Sequence, residues 1–285
     1  MQPRRIRHAP ARSRRPWPLL FVALLVIIVI ILLLSQSSRL SGLVASWAPK
    51  PPIVPITQTK SFDQVNDLIE GYKKATTSVS LINLDTDVQT NFGSPKALLA
   101  ASVTKVATAA DFLHEVEQGK ASLSEQISDH PASWQLQQMI QESNNDSWDA
   151  LDNQLGYQQL ASYAHSQGLT SFDLATNQVT AADEARFFQK LYTGQLLNQK
   201  YTDLELSYMQ HTNEDGYIPA VVPNNLTVHH KYGLLDGSLN DAAIISGGKR
   251  PFVLVIFTQG PDLTDQTARI NLLHQITRAV LDYED

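Results

Sequence analysis

The chain has 285 residues, a formal net charge of −6 and no cysteine. The missing cysteine excludes disulfides, thiolate catalysis and cysteine-ligated metal. Residues 1–39 hold seven arginines and no acid, so the remainder carries −13, a balance that argues against nucleic acid as a partner.

Six of those arginines precede "LLFVALLVIIVIILLL", an uncharged apolar run from Leu19 to Leu34. At about 1.5 Å per residue it falls a little short of a bilayer core of about 30 Å, so Trp17 and Ser35 to Ser38 must extend it. The positive-inside rule then keeps the N-terminus in the cytoplasm and exports everything after the run. A cleaved signal peptide is the alternative, with a loose small-residue site around Val44 to Ser46. The expected organisation is a basic cytoplasmic tail (1–18), a transmembrane anchor (19–35), a Ser/Pro-rich stalk (36–55) and one exported domain (56–285). Pro51, Pro52 and Pro55 bar regular helix from the stalk.

In the domain, "FDQVNDLIEGYKKA" has helical spacing, and "SVSLINLDTDVQTNFG" reads as two strands joined at Asp85 to Asp87. Helices are expected at 103–117, 132–141, 147–154, 157–167, 181–191 and 199–211. Strands return at 226–232, 240–246 and 252–258, before a final helix at about 263–281. Strands at both ends with helices between predict an α/β (α+β) fold: an antiparallel sheet flanked by helices, with an all-helical lobe inserted.

One residue is out of place in that pattern. Lys105, in "LLAASVTKVATAADFLHEV", shares the stripe of Ser102, Ala109, Phe112 and Val116, which faces the core. A buried ammonium is costly unless something uses it. If the helix begins near Ser102, Lys105 stands one turn on, where a dry site can strip its proton and let it accept one from the serine hydroxyl.

A chain of this length shows about one Ser-x-x-Lys by chance, and Ser246 and Lys249 repeat it on a Gly-Gly turn. Order carries more weight than the pair. Downstream come "ESNNDSW", with Ser143 and Asn145 between two helices, and "HHKYGLLDGS", with Lys231, Tyr232 and Gly233 at a strand end. Taken alone, Ser143 and Asn145 fit helix capping and Lys231 fits a solvated strand position. His229 and His230, adjacent on a strand, point to opposite faces and cannot form one ligand pair. No His-Glu-x-x-His helix and no Gly-x-Ser-x-Gly elbow occurs.

The ordered set of three motifs resembles that of class A β-lactamases and penicillin-binding proteins. The resemblance implies the β-lactamase-like fold and a serine acyl-enzyme, with no cofactor and no metal. By it Ser102 is the nucleophile and Lys105 its proton partner. Ser143 passes a proton to the leaving nitrogen, Asn145 holds the substrate amide, and Lys231 supplies positive potential. The N–H groups of Ser102 and Leu234 form the oxyanion hole, and Gly233 lets the strand edge approach the substrate.

Three departures from the family stand out. Asn144 replaces the usual middle Asp of Ser-Asp-Asn. Tyr232 replaces the usual Thr or Ser that helps bind the substrate carboxylate. Between Asp146 and Asp183 there is no glutamate to activate a deacylating water; Asp173 is the only acid of its loop, and Asn177 can orient a water but not deprotonate it. The expectation is a membrane-anchored, extracytoplasmic serine hydrolase that deacylates slowly, acting on a peptidoglycan-type peptide, a β-lactam or another amide. The alternatives are a true β-lactamase with an atypical deacylation route and a catalytically silent wall-binding or interaction domain.

Overall fold

The computed structural model describes residues 60–284. The expected cytoplasmic tail, transmembrane anchor and stalk lie outside the described residues. No helix among the described residues is long and apolar enough to cross a membrane.

Helix α1 (Lys60–Gly71) leads into β1 (Thr76–Asn83) and β2 (Gln89–Gly93). Short β3 (Leu98–Leu99) precedes a 3₁₀ turn (Ala101–Thr104) and α2 (Lys105–Glu117). A β4 (Gln126–Ile127) and β5 (His130–Pro131) hairpin opens the lobe of α3 (Ala132–Gln141), α4 (Asn145–Leu155) and α5 (Tyr157–Ser166). After β6 (Gln178–Val179) come α6 (Ala181–Tyr192) and α7 (Gln199–Tyr208). The chain closes with β7 (Thr227–Leu235), β8 (Ser238–Ser246), β9 (Phe252–Gln259) and α8 (Gln266–Glu284).

The long strands form one antiparallel sheet in the order β2-β1-β9-β8-β7. The two ends of the domain thus share a sheet, with the helical segment between β2 and β7 inserted, as the order of elements predicts. The run "FVLVIF" explains why β9 is central. Val253, Val255 and Phe257 pack into the cluster shared with α2, α3 and α6, while Phe252, Leu254 and Ile256 pack into the cluster shared with α8. A strand buried on both faces reads as an unbroken apolar run.

Boundaries differ from expectation where a turn residue outweighs periodicity. The β7–β8 hairpin runs three residues past Tyr232 and closes on Asp236 (φ 45°) and Gly237 (φ 81°). Asp-Gly is the pair a two-residue turn with both φ positive selects. Helix α7 stops at Tyr208 rather than His211, which itself takes φ 51°.

Candidate active site

The helix expected from Val103 is split, with Ser102 in the 3₁₀ turn and Lys105 opening α2. The turn is held from outside. Asn177 Nδ2 donates to Ala101 O at 2.8 Å, Thr104 Oγ1 donates to Asn177 Oδ1 at 2.8 Å, and Ala100 N donates to Asn177 O at 2.9 Å. Ala101 sits at φ 53° immediately before Ser102, a conformation that costs energy for a residue with a Cβ.

Lys105 is fully buried, as its place on the stripe implies. Its Nζ donates to Ser143 O and to Asn145 Oδ1, both at 2.7 Å, and lies 3.4 Å from Ser143 Oγ. Lys231 is also fully buried rather than solvated, and its Nζ donates to Ser143 Oγ at 2.9 Å and to Tyr232 O at 3.1 Å. The Ser143 hydroxyl therefore stands between two lysines, on a backbone at φ 56°. Among the described residues Ser102 Oγ makes no hydrogen bond to Lys105, whose donors point to the Ser143–Asn145 segment; apo catalytic hydrogen bonds commonly tighten only in the complex.

Gly233 brings Ser102 to the sheet. A Cβ there would overlap the Ala100 carbonyl oxygen and stand 3.1 Å from Ser102 N. The close approach that requires glycine here is to the turn carrying Ser102. Closure of the hairpin on Leu235 and Ser238 makes Leu234 a non-hydrogen-bonded position of the ladder. Its N–H points off the sheet edge, as does that of His230, which donates to Met209 O at 2.8 Å.

The capping reading resolves onto neither Ser143 nor Asn145. Asn144 is the N-cap of α4, accepting from Ser147 N at 2.9 Å. Asn caps as well as Asp, so the departure at the middle position costs the helix nothing and leaves the outer residues facing Lys105 and Lys231. The Tyr232 hydroxyl donates to Asn213 Oδ1 at 3.0 Å, and Lys231 Nζ lies 4.2 Å from the Tyr232 ring centroid.

Burial pulls the Lys105 pKa down to about 8, with Asp149 and Asp152 partly opposing it. Burial and then the neighbouring Lys105 take Lys231 well below the ordinary lysine range. Two buried ammonium groups facing one hydroxyl cannot both keep their protons cheaply.

The loop between the second and third motifs is occupied with itself. Asp173 accepts from Ala175 N and Thr176 Oγ1, bonds that lower its pKa. Asn177, expected to orient a water, spends its amide on Ala101 and Thr104. His229 and His230 face opposite ways: His229 Nδ1 meets Leu206 O, while His230 is clamped between Asp241 and Asp215. Sequence reasoning missed Trp148, whose ring centroid lies 4.9 Å from Lys105 Nζ and whose Nε1 donates to Thr108 Oγ1 at 3.0 Å. Its position one turn past Asn144 was the available signal.

A family model described as "Beta-lactamase enzyme family" matches residues 60–283. The chain belongs to this family. It is a serine hydrolase of the β-lactamase and penicillin-binding class. Among solved structures the fold is similar to that of PBP-A, at 21% identity and TM-score 0.74 over 79% of this chain and 96% of that one. A point mutant of PBP-A, solved as its acyl-enzyme with penicillin G, matches at 21% identity and TM-score 0.72 over 78% and 94%. The class A β-lactamase of the last common ancestor of Gram-negative bacteria matches at 18% identity and TM-score 0.73 over 79% and 99%. At such identities the likeness is one of fold. No curated protein matches the chain by sequence.

Proposed function

We propose that this family member is a membrane-anchored, extracytoplasmic enzyme that forms an acyl-enzyme on Ser102 with an amide or β-lactam-like substrate and releases it slowly. The observation that carries the reading is the Ser143 hydroxyl held between Lys105 and Lys231 at the turn that presents Ser102. Neutral Lys105 takes the proton as Ser102 Oγ bonds to the carbonyl carbon. The resulting oxyanion is met by the N–H groups of Ser102 and Leu234. Ser143 then gives its proton to the leaving nitrogen as the C–N bond breaks, and a lysine ammonium beside it restores that proton.

Slow release rests on what the loop lacks. Asp173 is exposed and tied to its own turn, Asn177 is tied to Ala101 and Thr104, and no glutamate lies between Asp146 and Asp183. The arginine-flanked apolar run supports the anchor and the exported orientation. A wall peptide or a β-lactam is the substrate class; the penicillin in a relative's acyl-enzyme makes the latter the probe of choice.

Intact mass of the purified protein, followed over time with penicillin G beside Ser102→Ala, tests this. The expected result is a lasting adduct of one drug mass that the variant lacks. Rapid drug loss without an adduct would establish an efficient β-lactamase instead. Absence of reaction with penicillin G and with a serine-reactive phosphonate would leave the binding-domain reading.

A further inference from the structure

Beside the acyl site lies a 530 Å³ cleft between α4, the start of α5 and the 174–177 loop, lined by Trp148, Tyr157, Leu174, Asp149, Asp152 and Asn177 among others. Among the described residues its walls are mainly aromatic and aliphatic, and its charged groups are two carboxylates, with no lysine or arginine. Asp152 is only 5% exposed. Its Oδ1 accepts from Thr108 Oγ1 at 2.9 Å, while no described residue donates to Oδ2. Asp152 Oδ2 therefore stays available as an acceptor in a cleft walled by aromatic rings. Lys105, the cation these carboxylates act on, gives its own hydrogen bonds to Ser143 and Asn145, with the Trp148 ring beside it.

We propose that this cleft binds an alkylammonium group, with Asp152 and Asp149 taking the charge and Trp148, Tyr157 and Leu174 covering the alkyl stem. The stem supplies the apolar burial and the ammonium fills the open acceptor, so neither a neutral chain nor an anion of the same length satisfies the site. The cleft also communicates with the acyl site. Asp149 and Asp152 are the carboxylates that hold the proton on Lys105, so a cation seated between them favours the neutral amine. Leu174 and Ala175 form one wall of the cleft, while Asn177 is pinned to the turn carrying Ser102. That link to catalysis rests on Ser102 being the acyl acceptor; the binding itself does not.

The test is titration of the full-length protein with n-butylammonium, n-butanol and butyrate, read at the indole N–H resonance of Trp148, assigned with Trp148→Phe. Butylammonium is expected to bind at least tenfold more tightly than butanol, with butyrate silent. Asp152→Asn, which retains an acceptor for Thr108, should weaken it at least tenfold. Should that variant not fold, Asp149→Asn on the exposed rim should weaken it severalfold. Equal binding of butylammonium and butanol, or no response at Trp148, would overturn the proposal. The source of the ammonium is read from adduct formation at Ser102 with an ammonium-bearing acyl donor and its neutral isostere. Butylammonium slows only the charged donor if the substrate carries the group, and speeds both if a free amine is the occupant. If no donor acylates Ser102, the functional reading falls while the titration still decides the site.

Discussion

Lys105 is one of several fully buried charged residues of the domain, and the one that its own sequence pattern flags. A fully buried ammonium has few outlets: it is desolvated, borders a second buried lysine, and donates to a backbone carbonyl and one amide oxygen. Such a group is inclined to act as a base. Its pKa of about 8 predicts that adduct formation at Ser102 rises about tenfold per pH unit below that value and levels off above it. Lys105→Arg, which cannot deprotonate in this range, should abolish the rise and cut the rate by at least ~10²-fold. A pH-independent rate in the wild type, measured by intact mass between pH 6 and 9, would remove Lys105 from the base role. The capping of α4 belongs to this scale too, because Asn144 rather than Ser143 or Asn145 satisfies the helix end. Ser143 is thereby left free to face the two lysines.

At the scale of elements, the site exists because edge strand β7 touches the 3₁₀ turn. Glycine at 233 permits that contact, since any Cβ would collide with the Ala100 carbonyl and crowd Ser102 N. Gly233→Ala is expected to push strand and turn apart, costing about 1–3 kcal/mol of stability. It should lower acylation by at least ~10²-fold, because a displacement of about 1 Å suffices for a loss of that order. Thermal unfolding together with the rate of adduct formation checks both; an unchanged rate would mean the turn does not depend on β7. The adjacent departure at Tyr232 is also explained at this level. Its phenol spans to Asn213, whose Nδ2 donates to Glu142 O beside Ser143, so the residue that alters the motif braces the segment carrying Ser143. Asp236–Gly237 was a readable hairpin signal that extends β7 through Gly233 and Leu234. The 3₁₀ turn was not readable, because its partner Asn177 lies more than seventy residues away.

Across the whole molecule, buried ionisable groups set the response to pH. Burial pulls the His230 pKa down, but Asp241 and Asp215 more than offset it and raise it to about 9. Its stabilisation is therefore complete below 6.5 and is lost as pH rises through 9. Burial, assisted by Asp183, lifts Glu184 to about 8; an acid kept neutral by the fold stabilises most below 4.5 and progressively less as pH climbs to 8. Both groups lower stability as pH rises, against Lys105 and Lys231, whose depressed folded pKa values raise it. Glu184→Gln removes one of the falling contributions and is expected to gain up to about 3 kcal/mol relative to the wild type at pH 8 compared with pH 5. A variant whose melting temperature follows the wild-type pH dependence between pH 5 and 8 would contradict the assignment.

The sequence by itself determined the sheet built from both ends of the domain, the central run of β9, the inserted helices and the order of the three motifs. These are local signals: apolar period, turn residues and spacing, each contained in a short window. It also singled out Lys105, because burial of a charge shows in a helical stripe. Only the tertiary structure decided that Lys231 is buried against Ser143, that Gly233 serves the turn of Ser102, that Asn177 locks that turn, and that Asp152 opens into an aromatic cleft. Each of these depends on groups far apart in the chain meeting across the sheet edge and the helical lobe. A one-dimensional pattern holds no record of which distant partner satisfies a buried polar atom, and that partner decides what the atom can do.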